Sequence, residues 1–196
     1  LEYGQPMHAF DYKCLDGKAI VVRNASDNEN FKTLDDQDRK LDSSMLVIAD
    51  ANKSVAVAGV MGGANSEITE QTKTVVFESA NFNGASVRHT TKKLGMRTEA
   101  SARFEKGLDS DGCLTSLKRA LQLVEMLDAG DIIDGAIDCN NGLPEDRIIT
   151  VTTDKIMELI GVEVADEKIV EILNRLGLET TINGKEITCK VPSIRD

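Results

Sequence analysis

No run of apolar residues in this 196-residue chain approaches the roughly 18 that a membrane-spanning helix needs. The longest, such as Val55 to Met61, stop far short. A membrane span and a signal-peptide core are thereby excluded, and membrane function with them. Cysteine is scarce and scattered: Cys14, Cys113, Cys139 and Cys189 form no C-x-x-C pair and have no neighbouring histidine, so no zinc knuckle is written here. They read as reduced, mostly buried thiols of a cytoplasmic protein. Histidine is scarcer still, with two in the whole chain.

Basic charge is also in deficit, 23 Lys and Arg against 33 Asp and Glu, for a net charge of −10. Such a balance argues against wrapping a long nucleic acid, which needs cations to neutralise phosphates. The distribution differs from the total. Arg88, Lys92, Lys93, Arg97, Arg103 and Lys106 face only Glu99 and Glu105 in one stretch, a local excess of four positive charges. With 41% hydrophobic residues the chain reads as soluble and globular, long enough for one or two domains with real cores. It begins at Leu1 without an initiator methionine and ends at Asp196, so it reads as a piece of a longer polypeptide.

The pattern along the chain predicts sheet first. Lys18 to Asn24, Met45 to Ala49, Ser54 to Val60 and Thr74 to Phe77 read as strands, the second and third joined in a hairpin at Asp50 to Lys53. Helices follow. One starts near Ala85, with Val87, Thr91 and Leu94 on one face and Gly95 as its stop; a short one spans Glu99 to Lys106; a third spans Gly112 to Asp128, closed by Gly130 and striped by Leu114, Leu117, Leu121 and Val124. Turn-forming residues 140–144 mark a domain boundary, giving domains 1–143 and 144–196. Beyond it the expected order is a strand at Arg147 to Thr152, a helix capped by Thr153 and ending at Gly161, a helix capped by Asp166, and a hairpin turning on Asn183-Gly184. The class is α+β: a layered sheet-and-helix domain, then a small winged-helix-like module of acidic balance.

Few residues carry obvious chemistry. His8 lies in GQPMHAFD, a Gly/Pro-punctuated segment read as poor in strand, and is either a structural histidine or an acid, base or positioner of water. Cys14 lies close by, but no third orienting group completes a nucleophilic pair. Gly59-Val60-Met61-Gly62-Gly63 lacks the Lys-Ser or Lys-Thr of a phosphate loop; its glycines either form a bulge or admit close approach of a ligand. Glu78 ends an apolar strand, where a carboxylate must be solvated, paired or used. Thr98 is placed to cap the short helix, and His89 reads as a surface residue.

Taken in order, GQPMHAFD, AVAGVMGGANSE, VVFESANFN and VRHTTKKLGMRTEASARFEKGLD resemble the editing region of bacterial-type phenylalanyl-tRNA synthetase β subunits, and RIITVTTDKIMELIG with VPSIR resembles the module that follows it. The resemblance implies a B3/B4 editing domain and a B5 domain. It implies a parent enzyme of two α and two β subunits that charges tRNA(Phe) with phenylalanine on the α subunit, using ATP and magnesium. This chain would carry no cofactor or metal, only the site that hydrolyses mischarged tyrosyl-tRNA(Phe). By motif, His8, Glu78 and Thr98 are then catalytic, Gly62, Glu78 and Ala100 line the amino-acid pocket, and Arg88, Lys92, Lys93 and Arg97 are expected to meet the tRNA acceptor end. The implied partners are that tRNA end and the α subunit, in the cytoplasm, with neither membrane nor DNA.

Accepting tyrosine while refusing phenylalanine reverses the steric sieve, and a buried acceptor such as Glu78 suits that task because it goes unpaired unless a phenol hydroxyl meets it. Two departures stand beside the resemblance. An arginine of the family's editing pocket lies before Leu1 in family members, and the chain stops just before an acidic run that supplies magnesium ligands there. The alternative function is a non-catalytic tRNA-binding and subunit-scaffolding region; a free-standing nucleic-acid-binding regulator fits the acidic balance poorly.

Overall fold

Local signals set most of the helix ends. A computed structural model describes residues 2–140 and 146–195, and in it α1 (Gly84–Leu94) starts where the Asn83 side chain accepts the Ser86 amide and stops at Gly95, whose φ of 61° only glycine adopts without strain. Thr98 caps α2 (Glu99–Phe104) in a reciprocal capping box with Ser101. α3 (Gly112–Met126) ends sooner than expected, on Leu127 with Asp128 at φ 50°, before Gly130 is reached. Its expected stripe is not its most buried face, since Leu114 is half exposed. Ser116 is the buried residue, and the Cys113 carbonyl accepts the Ser79 hydroxyl at 2.8 Å.

The strands of the first unit are β1 (Met7–Asp11), β2 (Val21–Asn24), β3 (Glu29–Lys32), β4 (Asp38–Leu41), β5 (Leu46–Ala49), β6 (Ser54–Val57), β7 (Met61–Gly62) and β8 (Val75–Ser79). They form three small antiparallel sheets, in the orders β2-β5-β6-β7, β3-β4 and β1-β8. The hairpin expected at Asp50 to Lys53 joins β5 to β6. β6 stops at Val57 rather than Val60, because Gly59 turns at φ 68° and the Val60 amide donates back to the Val57 carbonyl. One expectation fails, and one element was not anticipated. The GQPMHAFD segment is not strand-poor: all of it but Gly4 to Pro6 forms β1, whose partner lies more than sixty residues away in sequence. The β3–β4 hairpin, not anticipated, carries charged ENFK and DRKL sequences in which only Phe31 and Leu41 are buried.

β5 and β6 are covered on both faces. One core gathers Phe31, Leu41, Val47, Val57, Val87, Met96 and Phe104 beneath α1 and α2; the other gathers Phe10, Leu15, Ile48, Val55 and Ala56 beneath β1. At roughly 1.5–3 kcal/mol per fully buried large apolar side chain, these cores dominate the stability of this unit. They also fix where β1, β7 and α2 meet.

The chain divides into two compact units, Leu1–Asp134 and Gly135–Asp196. The boundary expected at residues 140–144 falls, apart from Asn140, outside the described residues. The second unit holds β9 (Arg147–Thr152), α4 (Thr153–Ile160), α5 (Asp166–Arg175), β10 (Glu179–Asn183) and β11 (Glu186–Val191), the strand, two helices and hairpin that were expected, in a sheet of order β10-β11-β9. Both cap expectations move by one residue, to Thr152 for α4 and Ala165 for α5. The hairpin loop is Gly184-Lys185 rather than Asn183-Gly184, because Asn183 pairs with Glu186 and Gly184, at φ 60°, takes the first turn position. All four cysteines are thiols, but only Cys189 is buried; Cys139 is exposed and the other two are intermediate. Among the described residues no helix is long and apolar enough to cross a membrane. The α+β class holds.

Candidate functional site

Alternation along β1 places His8 and Phe10 on one face and Met7 and Ala9 on the other. The register sets His8 opposite Glu78 and Phe10 opposite Val76. Imidazole and carboxyl therefore leave the same face of the β1–β8 ribbon from directly opposed positions, whose Cβ atoms lie about 4.5–5.5 Å apart in such pairs. Phe10 enters the core and meets the His8 ring edge-on, with centroids 4.5 Å apart. His8 Nε2 and Glu78 Oε2 are both shielded from solvent and have no hydrogen-bond partner. Native proteins leave few buried polar atoms unsatisfied, and each asks for an explanation. A ligand offering a donor to the carboxyl and a proton partner to the imidazole satisfies both.

Gly62, in β7, faces the same ring. A Cβ on it would lie 2.6 Å from His8 Nε2 and closer still to Cε1, so any side chain there displaces the imidazole. The backbone around it is pinned: the Leu34 amide donates to the Gly62 carbonyl at 3.0 Å, and the Gly63 amide donates to the Val55 carbonyl at 2.8 Å. Thr98 holds the turn just before this strand. Its hydroxyl donates to the Val60 carbonyl at 2.8 Å and accepts the Ser101 amide at 3.1 Å, tying the start of α2 to the turn that delivers Gly62. Ala100 follows on α2, partly buried against the first core.

Burial pushes the Glu78 carboxyl up to about 7 and holds the His8 imidazole below its usual value. At neutral pH His8 is neutral and Glu78 is poised between its two forms. The linkage has a definite sign. The folded chain keeps a proton on Glu78 that the unfolded chain releases near 4.5, so this group costs stability progressively as pH rises from 4.5 to about 7. Glu78→Gln removes the titration. Its stability relative to the parent chain is expected to improve by about 2–3 kcal/mol between pH 4.5 and pH 8. Thermal unfolding of both chains at the two pH values measures this, and a pH-independent difference contradicts it.

The basic stretch is split by its ion pairs. Lys93 bonds Asp42 at 3.0 Å and Arg97 bonds Glu105 at 3.3 Å, whereas Arg88 and Lys92 project from α1 into solvent. His89 is exposed, as expected. A cleft of about 420 Å³, within the size range of small-molecule sites, opens at the β1 edge and is lined by Met7, His8, Ala9, Leu34, Ile68 and Phe77 among others. Among the described residues no group of three or more His, Cys, Asp or Glu is placed to hold a metal ion.

The structure thus brings His8, Glu78 and Gly62 together and sets Thr98 and Ala100 on the helix pinned to the same turn. Sequence reading missed two neighbours. Phe10 was detectable as the i+2 partner of His8 once the segment is read as a strand. Leu34, whose Cδ1 a Gly62 Cβ would meet at 3.0 Å, sits in a polar loop that carries no signal.

Comparison with known proteins places these residues in a family context. Residues 1–129 match the B3/4 domain and residues 149–196 the tRNA synthetase B5 domain. The chain is 44% identical over 195 residues to the phenylalanine–tRNA ligase β subunit of Clostridium acetobutylicum, covering all of this chain and 25% of that protein. It is also 44% identical over 195 residues to the β subunit of Bacillus subtilis, with 24% of that protein covered. The chain spans about a quarter of the length of these curated relatives.

Proposed function

The chain belongs to the phenylalanine–tRNA ligase β-subunit family, as a region with its B3/4 and B5 domains, and on that premise we propose that the His8–Glu78 face is an editing site that hydrolyses tyrosine mistakenly esterified to tRNA(Phe). The observation that carries this reading is the pair of orphaned buried atoms on one face, His8 Nε2 and Glu78 Oε2. A tyrosyl ester answers both needs. Its phenol O–H donates to the Glu78 carboxylate, and the water that attacks its carbonyl gives its proton to, or is oriented by, the neutral His8 imidazole. Ester hydrolysis asks less activation than amide hydrolysis, so a positioned water suffices without a covalent intermediate.

Gly62 and Ala100 supply room for the ring, and Thr98 acts as a positioning residue, since its hydroxyl is already committed to Val60 and Ser101. The exposed Arg88 and Lys92 of α1 offer charge to the tRNA end. The ATP and magnesium used in ligation belong, on this reading, to the α subunit, and no step here runs through them. The parent complex is cytoplasmic.

The test is deacylation of preformed tyrosyl-tRNA(Phe) by the assembled α/β enzyme with and without His8→Ala. A fall of about 10²- to 10⁴-fold is expected for losing a general base or the group that positions water. A variant that clears the ester at the parent rate overturns the reading.

A further inference from the structure

Arg103 stands apart from the other cations of its stretch. Lys93 and Arg97 are engaged by Asp42 and Glu105, and Arg88, Lys92 and Lys106 are exposed and solvated. Arg103 is half-buried, yet among the described residues no carboxylate lies within ion-pair distance of it and no hydrogen bond holds its guanidinium, Glu99 one helical turn earlier included. A guanidinium stays charged in proteins, and a partly desolvated charge without a partner is costly.

Its position is defined from two sides. It lies one turn after Ala100 on α2, the helix tied through Thr98 to the turn that delivers Gly62 to His8. Its Nη1 would come within 3.9 Å of a Cβ on Gly4, four residues before His8. The Gln5 side chain donates to the Ala80 carbonyl at 2.7 Å, which fixes this entry segment against the end of β8. Four residues of chain span at most about 13 Å, which bounds how far Gly4 can lie from His8. The ground-state ester is neutral and the amino group is itself positive, so the full negative charges that the substrate brings are its phosphates. A backbone phosphate of the nucleic acid would supply the counter-charge that the described residues do not.

We infer that Arg103 binds the phosphodiester that joins the terminal nucleoside of the bound tRNA to the nucleotide before it. This rests on the editing reading above. The planar fork of the guanidinium suits two phosphate oxygens, which a lysine matches only as a point charge. Arg103 is then a positioning residue that sets the ester against His8 by holding the backbone one linkage away.

The test compares two substrates in the assembled enzyme: tyrosyl-tRNA(Phe), and tyrosyl-adenosine, which has the same ester and nucleoside but no phosphate. Arg103→Ala is expected to lower kcat/KM on the tRNA roughly tenfold or more, chiefly through KM, with Arg103→Lys restoring part of it. On tyrosyl-adenosine the two variants are expected to match the parent within about twofold, because the contact removed there does not exist. Binding of uncharged tRNA reads the same contact without hydrolysis, its salt slope falling by about 0.7 to 1 in Arg103→Ala. Equal losses on both substrates reveal a purely structural role and overturn the inference, as does an unchanged salt slope. A parent enzyme that hydrolyses neither substrate overturns the editing reading instead, and the binding measurement still decides whether Arg103 meets phosphate.

Discussion

Gly62→Trp is expected to abolish hydrolysis of tyrosyl-tRNA(Phe) while leaving phenylalanine ligation by the assembled enzyme intact. The reason is local. Even a methyl group at this position overlaps the His8 ring, and the backbone that carries it cannot retreat, being bonded to Leu34 on one side and, through Gly63, to Val55 on the other. The imidazole is the part able to move, so the chain folds and His8 turns away from its station. Gly62→Ala should therefore already lower the deacylation rate by about 10²-fold, a cost typical of displacing a catalytic group by an ångström, and tryptophan adds obstruction of the pocket to that displacement. Deacylation and ligation assays on the same preparation separate the two functions. An alanine variant that edits at the parent rate shows that the ring need not stay where it lies.

The second large effect belongs to Glu78→Ala. Its target is discrimination rather than chemistry. Losing the buried acceptor removes one charge-assisted hydrogen bond to the phenol, about 1.5–3 kcal/mol, so kcat/KM for the tyrosyl ester falls roughly 10- to 150-fold. The phenylalanyl ester, which makes no such bond, is unaffected, and the preference between them collapses by the same factor. Glu78→Gln keeps an acceptor oxygen and falls between the two. The parent enzyme's preference should itself weaken as pH drops below about 7, where the carboxyl takes up its proton and accepts a phenol less well.

Elements whose signals are local were legible in the sequence: Gly95 stopping α1, Thr98 capping α2, and the glycine turn of the β10–β11 hairpin, displaced by one residue. Elements made by distant partners were not. Met7 to Asp11 becomes a strand because Val75 to Ser79 pairs with it, and no short window containing Gly4 and Pro6 announces that. The β3–β4 hairpin buries one apolar residue per strand, too few for a period to show. The site followed the same division. His8, Gly62, Glu78, Thr98 and Ala100 could each be named by resemblance, but that His8 and Glu78 stand opposite one another, that both lack partners, and that Gly62 exists to clear the imidazole are facts of packing between segments up to seventy residues apart. Arg103 shows the converse. In the sequence it is one cation among six, and only the ion pairs of its neighbours make it the unpaired, half-buried one.

The central claim is that this face selects a hydroxyl and hydrolyses the ester that bears it. Single-turnover deacylation of tyrosyl-tRNA(Phe) and phenylalanyl-tRNA(Phe) by the assembled enzyme measures it most directly. The account predicts that the tyrosyl ester is cleared faster by at least tenfold, the lower bound set by one buried charge-assisted hydrogen bond; equal rates for the two esters, or no hydrolysis of the tyrosyl ester above that in water, contradict it.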